Sequence, residues 1–593
     1  MLKENKWKSA YFTFQIFIVY FWLSFFLNAD SYYAAYLFIG IAGILCCSIN
    51  WKEQNIPEGK REKVLTFLFA FMLSTAVVAS NYAMFTKAES LWWNRILSFI
   101  GIYLGGMFSF GNLLVFLAAH LRNFSFKRSE KEKELSPYIV FLLAVAPMVI
   151  LNIQLLFLCE YPGNLTSDSK NQITQLLTGD YSNHHPFYHT MIIGFWGKIG
   201  YALWGNMNAA IATYNVFQIL FMAGCFGFGM VTLYQAGIPA KYIVACDFFY
   251  VLMPFHIVYS FTVWKDIIFG GIVLLFTVSV FRVLGNIGSH RALNYVMYLF
   301  GGMGLCLLRS NGWFAYLLIT AGFLPLFGKR HKKLRFSFLF VLVISFILKH
   351  PVLSALNVTQ PDTIESLSIP AQQIARVVTE CDDLTETQRT LLNEIVEVDE
   401  ISTEYAAFVS DPIKELVRRT NNQDYLVEHK GDFLKLYIEL GFAHPVKYVE
   451  AWIDQTRGFW NGGYSSWRWE RNFSGDALGL SKEVKSERVR EWFGRYLELY
   501  SSSNALVIFL CIGFYVWVIG IVCYISLIRR DRVACFLTFP VLSVIMTLLI
   551  ATPVFAEFRY AYAVFCTIPF LLFAPFTDRT EPDKDEPAIT EEK

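Results

Sequence analysis

Ionisable side chains gather in a few short stretches of an otherwise apolar chain, each beside the end of a long apolar run. The stretch Glu160–Gly205 carries Asp168, the triplet His184–His185–Pro186, and a glycine-broken amphipathic run with Trp196, Lys198 and Trp204. TVWKDIIF holds Lys265 and Asp266, LRSNGW holds Arg309 and Asn311, and PVFAEFRYAY holds Glu557, Arg559 and Tyr560. Charged groups beside lipid are costly and so are functional candidates by default. A carboxylate within hydrogen-bond reach of a hydroxyl can act as a general base. An arginine can grip a phosphate through two parallel hydrogen bonds.

Each residue also has a structural reading. Asp168 follows Thr166 and Ser167 and begins an Ile173, Leu176, Leu177 stripe closed by Gly179, which suits a helix N-terminus with Asp168 as its cap. His184 and His185 before Pro186 either shape a turn or bind a substrate. Lys265 can snorkel to the interface, and Asp266 can cap its helix or pair with Lys265. Arg309 and Arg559 end apolar runs on the face that normally lacks basic residues, where they suit a lipid-linked phosphate.

The elements that must position these groups are membrane helices. Of 593 residues, 55% are hydrophobic and only 17% charged, with a mean hydropathy of +0.42. Soluble domains are less apolar and carry about 25% charge. Runs near the roughly 20 residues needed to cross a bilayer recur along the chain. They predict an all-α polytopic membrane protein of about 14 spans, at 9–28, 32–50, 64–80, 95–120, 138–159, 208–234, 242–261, 266–284, 292–308, 312–327, 335–350, 504–527, 533–551 and 557–576. The net charge of +2 says nothing about partners, no nucleic-acid partner is expected, and the 11 cysteines form neither a metal spacing nor a disulfide framework. MLKENKWK reads as the start of a retained anchor, since no small-residue cleavage site follows.

Lys3, Lys6 and Lys8, then Lys52 to Lys63, then Arg122 to Lys133 set the orientation by the positive-inside bias. Residues 160–205 then face outward. If 186–204 crossed the membrane, the basic loops at 328–336 and 529–532 would fall outside. An amphipathic helix lying in the outer interface keeps both inside. Residues 351–503 become a mostly helical extracytoplasmic domain, with IPAQQIARVV, LTETQRTLLNEIVEV and GDFLKLYIELGF in helical period. The aromatic clusters at 452–463 and 467–469 follow, and the charged, proline-containing tail 578–593 reads as disordered and cytoplasmic.

An acidic residue in the first large outer loop, a His-Pro juxtamembrane segment, an acidic residue opening a later helix and a final Arg-Tyr together resemble the GT-C superfamily of integral-membrane glycosyltransferases. That group holds the protein O-mannosyltransferases and the lipid A aminoarabinose transferase, and the chain is also similar to uncharacterised bacterial membrane proteins. The likeness covers 138–350, a core with outer loop 160–207, and extends to the EFRY end at 504–577. The four helices of 1–137 and the 351–503 domain lie outside the shared core. Two departures stand out: Ser167-Asp168-Ser169 where relatives have a carboxylate pair, and His-Pro-Phe where many have His-Pro-Pro.

The resemblance implies transfer of a sugar from a polyprenyl-phosphate donor to a glycan, lipid or protein acceptor at the outer face of the cell membrane. It implies Asp168 as general base, with Asp266 as a second catalytic acid. Arg309, Arg559 and Lys265 would hold the donor phosphate, and His184, His185, Asn311, Glu557 and Tyr560 would contact substrate. No metal ligand is identified, and a divalent cation remains an open cofactor. The competing readings are a flippase or transporter of lipid-linked oligosaccharide, whose internal repeats are not visible here, and a glycan polymerase or ligase.

Overall fold

The computed structural model describes residues 2–27, 34–86, 91–128, 134–288, 290–465, 467, 473, 475, 478–503 and 505–578. The expected disordered tail, beyond residue 578, and Trp469 lie outside the described residues. The described chain is helical, and its β pairing is confined to isolated bridges.

Among the described residues, ten helices are long and apolar enough to cross a membrane, which makes the chain a multi-pass helical membrane protein. The sequence expects more spans because several apolar runs are shorter or broken. The run expected at 242–261 bends by 59° between Ala240–Leu252 and Pro254–Ser260, since Pro254 has no N–H to continue the ladder. Counting that bent pair as one span gives up to 11. Arg291–Leu307, Gly312–Phe327 and Ile512–Ile528 are helices of 17, 16 and 17 residues, short of the roughly 20 that span a bilayer untilted.

Lys265–Leu284 is the axis of the bundle, buried along almost its whole length. Met207–Gln235, Arg291–Leu307 and Tyr562–Phe573 surround it. Small residues let the backbones approach, as they do in membranes generally. A Cβ on Gly301 would sit 2.9 Å from the Phe276 Cα, and one on Gly270 would press on the Tyr562 ring at 2.8 Å. The first four long helices form a separate apolar cluster, joined to the rest through Trp517 and Tyr524 of Ile512–Ile528.

Two helices occupy the first large loop. Ser167–Thr178 ends at Gly179, whose φ of 82° closes it in the left-handed region. Phe187–Trp204 is not apolar enough to count as a span. It leans on the first turns of Met207–Gln235, with Trp196 stacked on Phe217 and Gly200 against Thr213. That packing buries its apolar face against the neighbouring helix.

Residues 368–456 form a helical layer with its own core, drawn from Val377, Leu392, Ile401, Leu416 and Leu436 among others. The layer grips the backbone that follows the Arg532–Ala551 span. Trp452 Nε1 donates to Leu549 O at 2.8 Å, Gln455 Nε2 to Thr552 O at 2.8 Å, and Ser410 N to Pro553 O at 2.8 Å. Between that grip and Glu557 lies Ala556, at φ 52°. A side chain in that region costs roughly 1–2 kcal/mol, so the surrounding contacts must enforce it. One of them is Gly458, where any Cβ would collide with Ala556.

Candidate functional site

The loop helix Ser167–Thr178 is fixed before its charges are considered. Thr166 is its N-cap, in a reciprocal arrangement with Ser169. Asp168 is therefore not the cap, and the capping alternative offered by the sequence is corrected. Ser169 Oγ also donates to Val263 O at 2.7 Å, and Trp264 Nε1 donates to Thr166 Oγ1 at 2.7 Å. Asn164 pairs with 261–263 through Asn164 N to Phe261 O at 2.8 Å and Val263 N to Asn164 O at 3.0 Å. A buried chain adds to this. Gln218 Nε2 donates to the carbonyls of Tyr259, Ser260 and Thr262, and its amide oxygen accepts from Tyr214, which meets His189 Nε2 at 2.8 Å. The first large loop and the start of the central helix are thus locked together.

Asp168 is freed to face two cations and an imidazole from three other segments. Its Oδ2 lies 2.8 Å from Arg559 Nη1, 3.4 Å from Lys265 Nζ and 4.0 Å from His185 Nδ1. Lys265 Nζ also reaches His185 Nδ1 at 3.2 Å. Arg559 Nε meets Glu557 Oε1 at 3.4 Å, and its guanidinium stacks over Trp264 at 4.7 Å. The residue after Lys265, Asp266, pairs with Arg309 Nη1 at 3.2 Å. Arg309 Nη1 also donates to Tyr560 O at 2.7 Å, and its guanidinium covers the Tyr560 ring at 4.7 Å.

Burial pushes the Asp168 carboxyl up, but Lys265, Arg559 and His185 more than reverse this and hold it well below the usual carboxylate range. It is ionised at neutral pH. Burial, reinforced by the Lys265 ammonium, pulls His185 down to about 3 despite the nearby Asp168. The ammonium can only donate, so His185 Nδ1 is the acceptor and Nε2 carries the proton. That buried Nε2 has no hydrogen-bond partner, which leaves a donor free for a bound molecule.

A pH prediction follows. Burial holds His189 at about 3 as well. Between pH 6.5 and about 3 the unfolded chain binds protons at both imidazoles that the folded chain does not, so stability is full above 6.5 and declines as pH falls. Thermal unfolding at pH 7 and at an acidic pH inside that window should show the loss, and His185→Gln and His189→Gln should each shrink it. An unchanged pH slope in both variants would rule out neutral imidazoles in the fold.

Of the sequence candidates, the structure brings Asp168, His185, Lys265, Asp266, Arg309, Glu557, Arg559 and Tyr560 into one cluster. Asp266 is 1% exposed, and neither of its oxygens accepts a hydrogen bond. His184 sits on the exposed side, with its ring edge against His185 at 4.8 Å. Asn311 does not join: its Nδ2 donates to Thr547 Oγ1 at 2.7 Å on a neighbouring span. The carboxylates of Asp168, Asp266 and Glu557 are each engaged by a cation. Among the described residues, no three His, Cys, Asp or Glu ligand atoms converge there to hold a metal.

Three neighbours were not named as site residues from the sequence. Trp264 joins the N-cap of the loop helix to the Arg559 guanidinium. Lys349 donates to Ser310 O at 2.9 Å, bringing a further cation behind Arg309. Trp467 is buried beside Phe558, and its Nε1 has no hydrogen-bond partner. Trp264 adjoins Lys265 in TVWKD, and Lys349 is a lone cation ending an apolar run; both signals were legible.

No curated protein and no solved structure matches the chain. A family model matches residues 177–588, a segment that begins after Asp168 and takes in every other member of the cluster. That segment is most of the chain, which belongs to DUF6020, a family of unknown function.

Proposed function

We propose that the protein is a membrane glycosyltransferase of the GT-C type, moving a sugar from a polyprenyl-phosphate donor to an acceptor hydroxyl. The observation that carries this reading is the ionised Asp168 held between Lys265 and Arg559, with the free His185 donor beside it. In the resting state the carboxylate neutralises the two cations. A donor phosphate competes for them, and as they turn to it Asp168 loses the interactions that depress its proton affinity. The carboxylate then takes the acceptor hydroxyl proton, the oxygen attacks the anomeric carbon, and the sugar–phosphate bond breaks with its electrons going to the phosphate. Arg559 and Lys265 stabilise that departing charge. Arg309 is committed to Asp266 and Tyr560 and serves this reading as a strut for the segment carrying Arg559.

Arg559→Ala should weaken polyprenyl-phosphate binding by about tenfold to a hundredfold, the loss of charge-assisted hydrogen bonds. Arg559→Lys should weaken it less, because the charge stays and only the fork is lost. Wild-type donor affinity in Arg559→Ala would remove Arg559 from the donor site. For the activity itself, membranes lacking the protein should accumulate a polyprenyl-phosphate sugar; identical lipid profiles with and without it would overturn the reading.

The same reading puts the cluster at the extracytoplasmic face of the cell membrane, with the 351–503 region outside, 328–336 and the C-terminus inside, and the shorter apolar helices also crossing to give 14 spans. The positive-inside bias supports it. Cysteines engineered at 180 and 420 should react with an impermeant reagent in intact cells, and one at 332 should not. Labelling at 332 would reverse the orientation.

A further inference from the structure

Away from the charged cluster, three side chains of different chemistry meet on the 368–456 layer. Cys381 is the C-cap of Ser368–Glu380, with its N–H bonded to Val377 O at 2.9 Å. Asp383 follows in the loop before Glu386–Asn393. His444 opens Pro445–Thr456, with its N–H bonded to Leu440 O at 2.8 Å. One ligand atom from each lies within 4.8 Å of the others, and His444 Nε2 is 3.1 Å from Asp383 Oδ1.

Helix packing, not loop geometry, holds the three together. Ser368–Glu380 and Pro445–Thr456 lie side by side. Gln373 Nε2 donates to Tyr448 O at 3.1 Å, and the buried Arg376 pairs with Asp454 at 2.6 Å and Glu450 at 3.2 Å. The nearest cation, Lys447, is taken up by Glu380 at 2.7 Å and Glu450 at 3.4 Å, so it does not neutralise the trio. Most of the cysteines in the chain lie in apolar segments, but Cys381 is half-buried at the edge of a polar layer.

We propose that Cys381, Asp383 and His444 bind a zinc-type divalent cation. A thiolate, an imidazole and a carboxylate form the mixed sulfur–nitrogen–oxygen set that borderline-soft cations favour, and zinc takes them at about 2.0–2.3 Å. Ligands at those lengths stand roughly 3.4–3.8 Å apart around a tetrahedron, so rotamer adjustments close the present spacing. The Asp383 side chain is 65% exposed, which leaves the fourth position to water or an incoming ligand. The cation would join the end of the first helix of the layer to the start of its last, adding to stability by mass action. The proposal does not depend on the glycosyltransferase reading.

The test uses the full chain in detergent, stripped by a chelator and titrated with Co²⁺, then Zn²⁺. Wild type should bind one equivalent of Co²⁺ with a near-ultraviolet thiolate charge-transfer band that Zn²⁺ displaces, and Zn²⁺ should raise its melting temperature. Cys381→Ser should lose the band and that equivalent. If Cys381→Ser does not fold, Asp383→Asn, an exposed loop change, should still weaken Zn²⁺ binding by at least about tenfold. A band that persists in Cys381→Ser, or equal Zn²⁺ affinity in Asp383→Asn, would overturn the site.

Discussion

Asp168→Asn is expected to lower sugar transfer by roughly 10²–10⁴-fold while leaving a folded protein that still binds donor. Asparagine keeps the shape of the side chain but cannot accept the acceptor proton. The helix start does not depend on Asp168, because Thr166 and Ser169 already cap it. Arg559 keeps Glu557 as a partner, so the variant does not strand an unpaired guanidinium. The loss should fall on kcat, with donor affinity unchanged or improved, since a competitor for Lys265 and Arg559 has lost its charge. Near-wild-type transfer, in a preparation with unchanged melting, would move the base elsewhere. Glu557, with its side chain 33% exposed, would then be reachable, and the buried Asp266 would not.

The second large effect is expected in stability. Arg309→Ala removes the only cation within ion-pair distance of Asp266 among the described residues and leaves a buried carboxylate uncompensated. Breaking such a pair costs about 3–5 kcal/mol. It also cuts the bond to Tyr560 O, which fixes the segment entering the last helix. Asp266→Asn in the same chain should recover part of the loss, because a neutral amide is cheaper to bury than an unpaired charge. The four melting curves form a double-mutant cycle, and a coupling near zero would show that the pair holds nothing together.

The sequence carries the outline of this site because membrane proteins expose their costs. Arg309 and Arg559 stand out as basic residues at the ends of apolar runs, and both fall in the cluster. The Phe187–Trp204 helix could be separated from a span by the parity of basic loops, although its apolar content alone is ambiguous. Asn311 misled, because adjacency to Arg309 along the chain says nothing about direction, and a helix start turns it toward Thr547. Trp264 was passed over because an aromatic beside a helix end is ordinary at a membrane interface. Its role appears only when Thr166 and Arg559, far apart in sequence, are seen on its two sides. The Asp168 cap was a fair reading of TSDS, and Thr166 took the position instead.

The grip on 549–553 and the strained Ala556 also bear on how this chain can evolve. A single covalent thread runs from Pro553, where the helical layer holds it, to Arg559 in the charged cluster, and both ends are pinned by hydrogen bonds or ion pairs. Surface loops elsewhere can absorb insertions at little cost. This thread cannot, because an added residue would have to be taken up between two fixed anchors across a joint already in the left-handed region. Its length is a ruler set between layer and cluster, and it fixes how far the layer stands from Arg559.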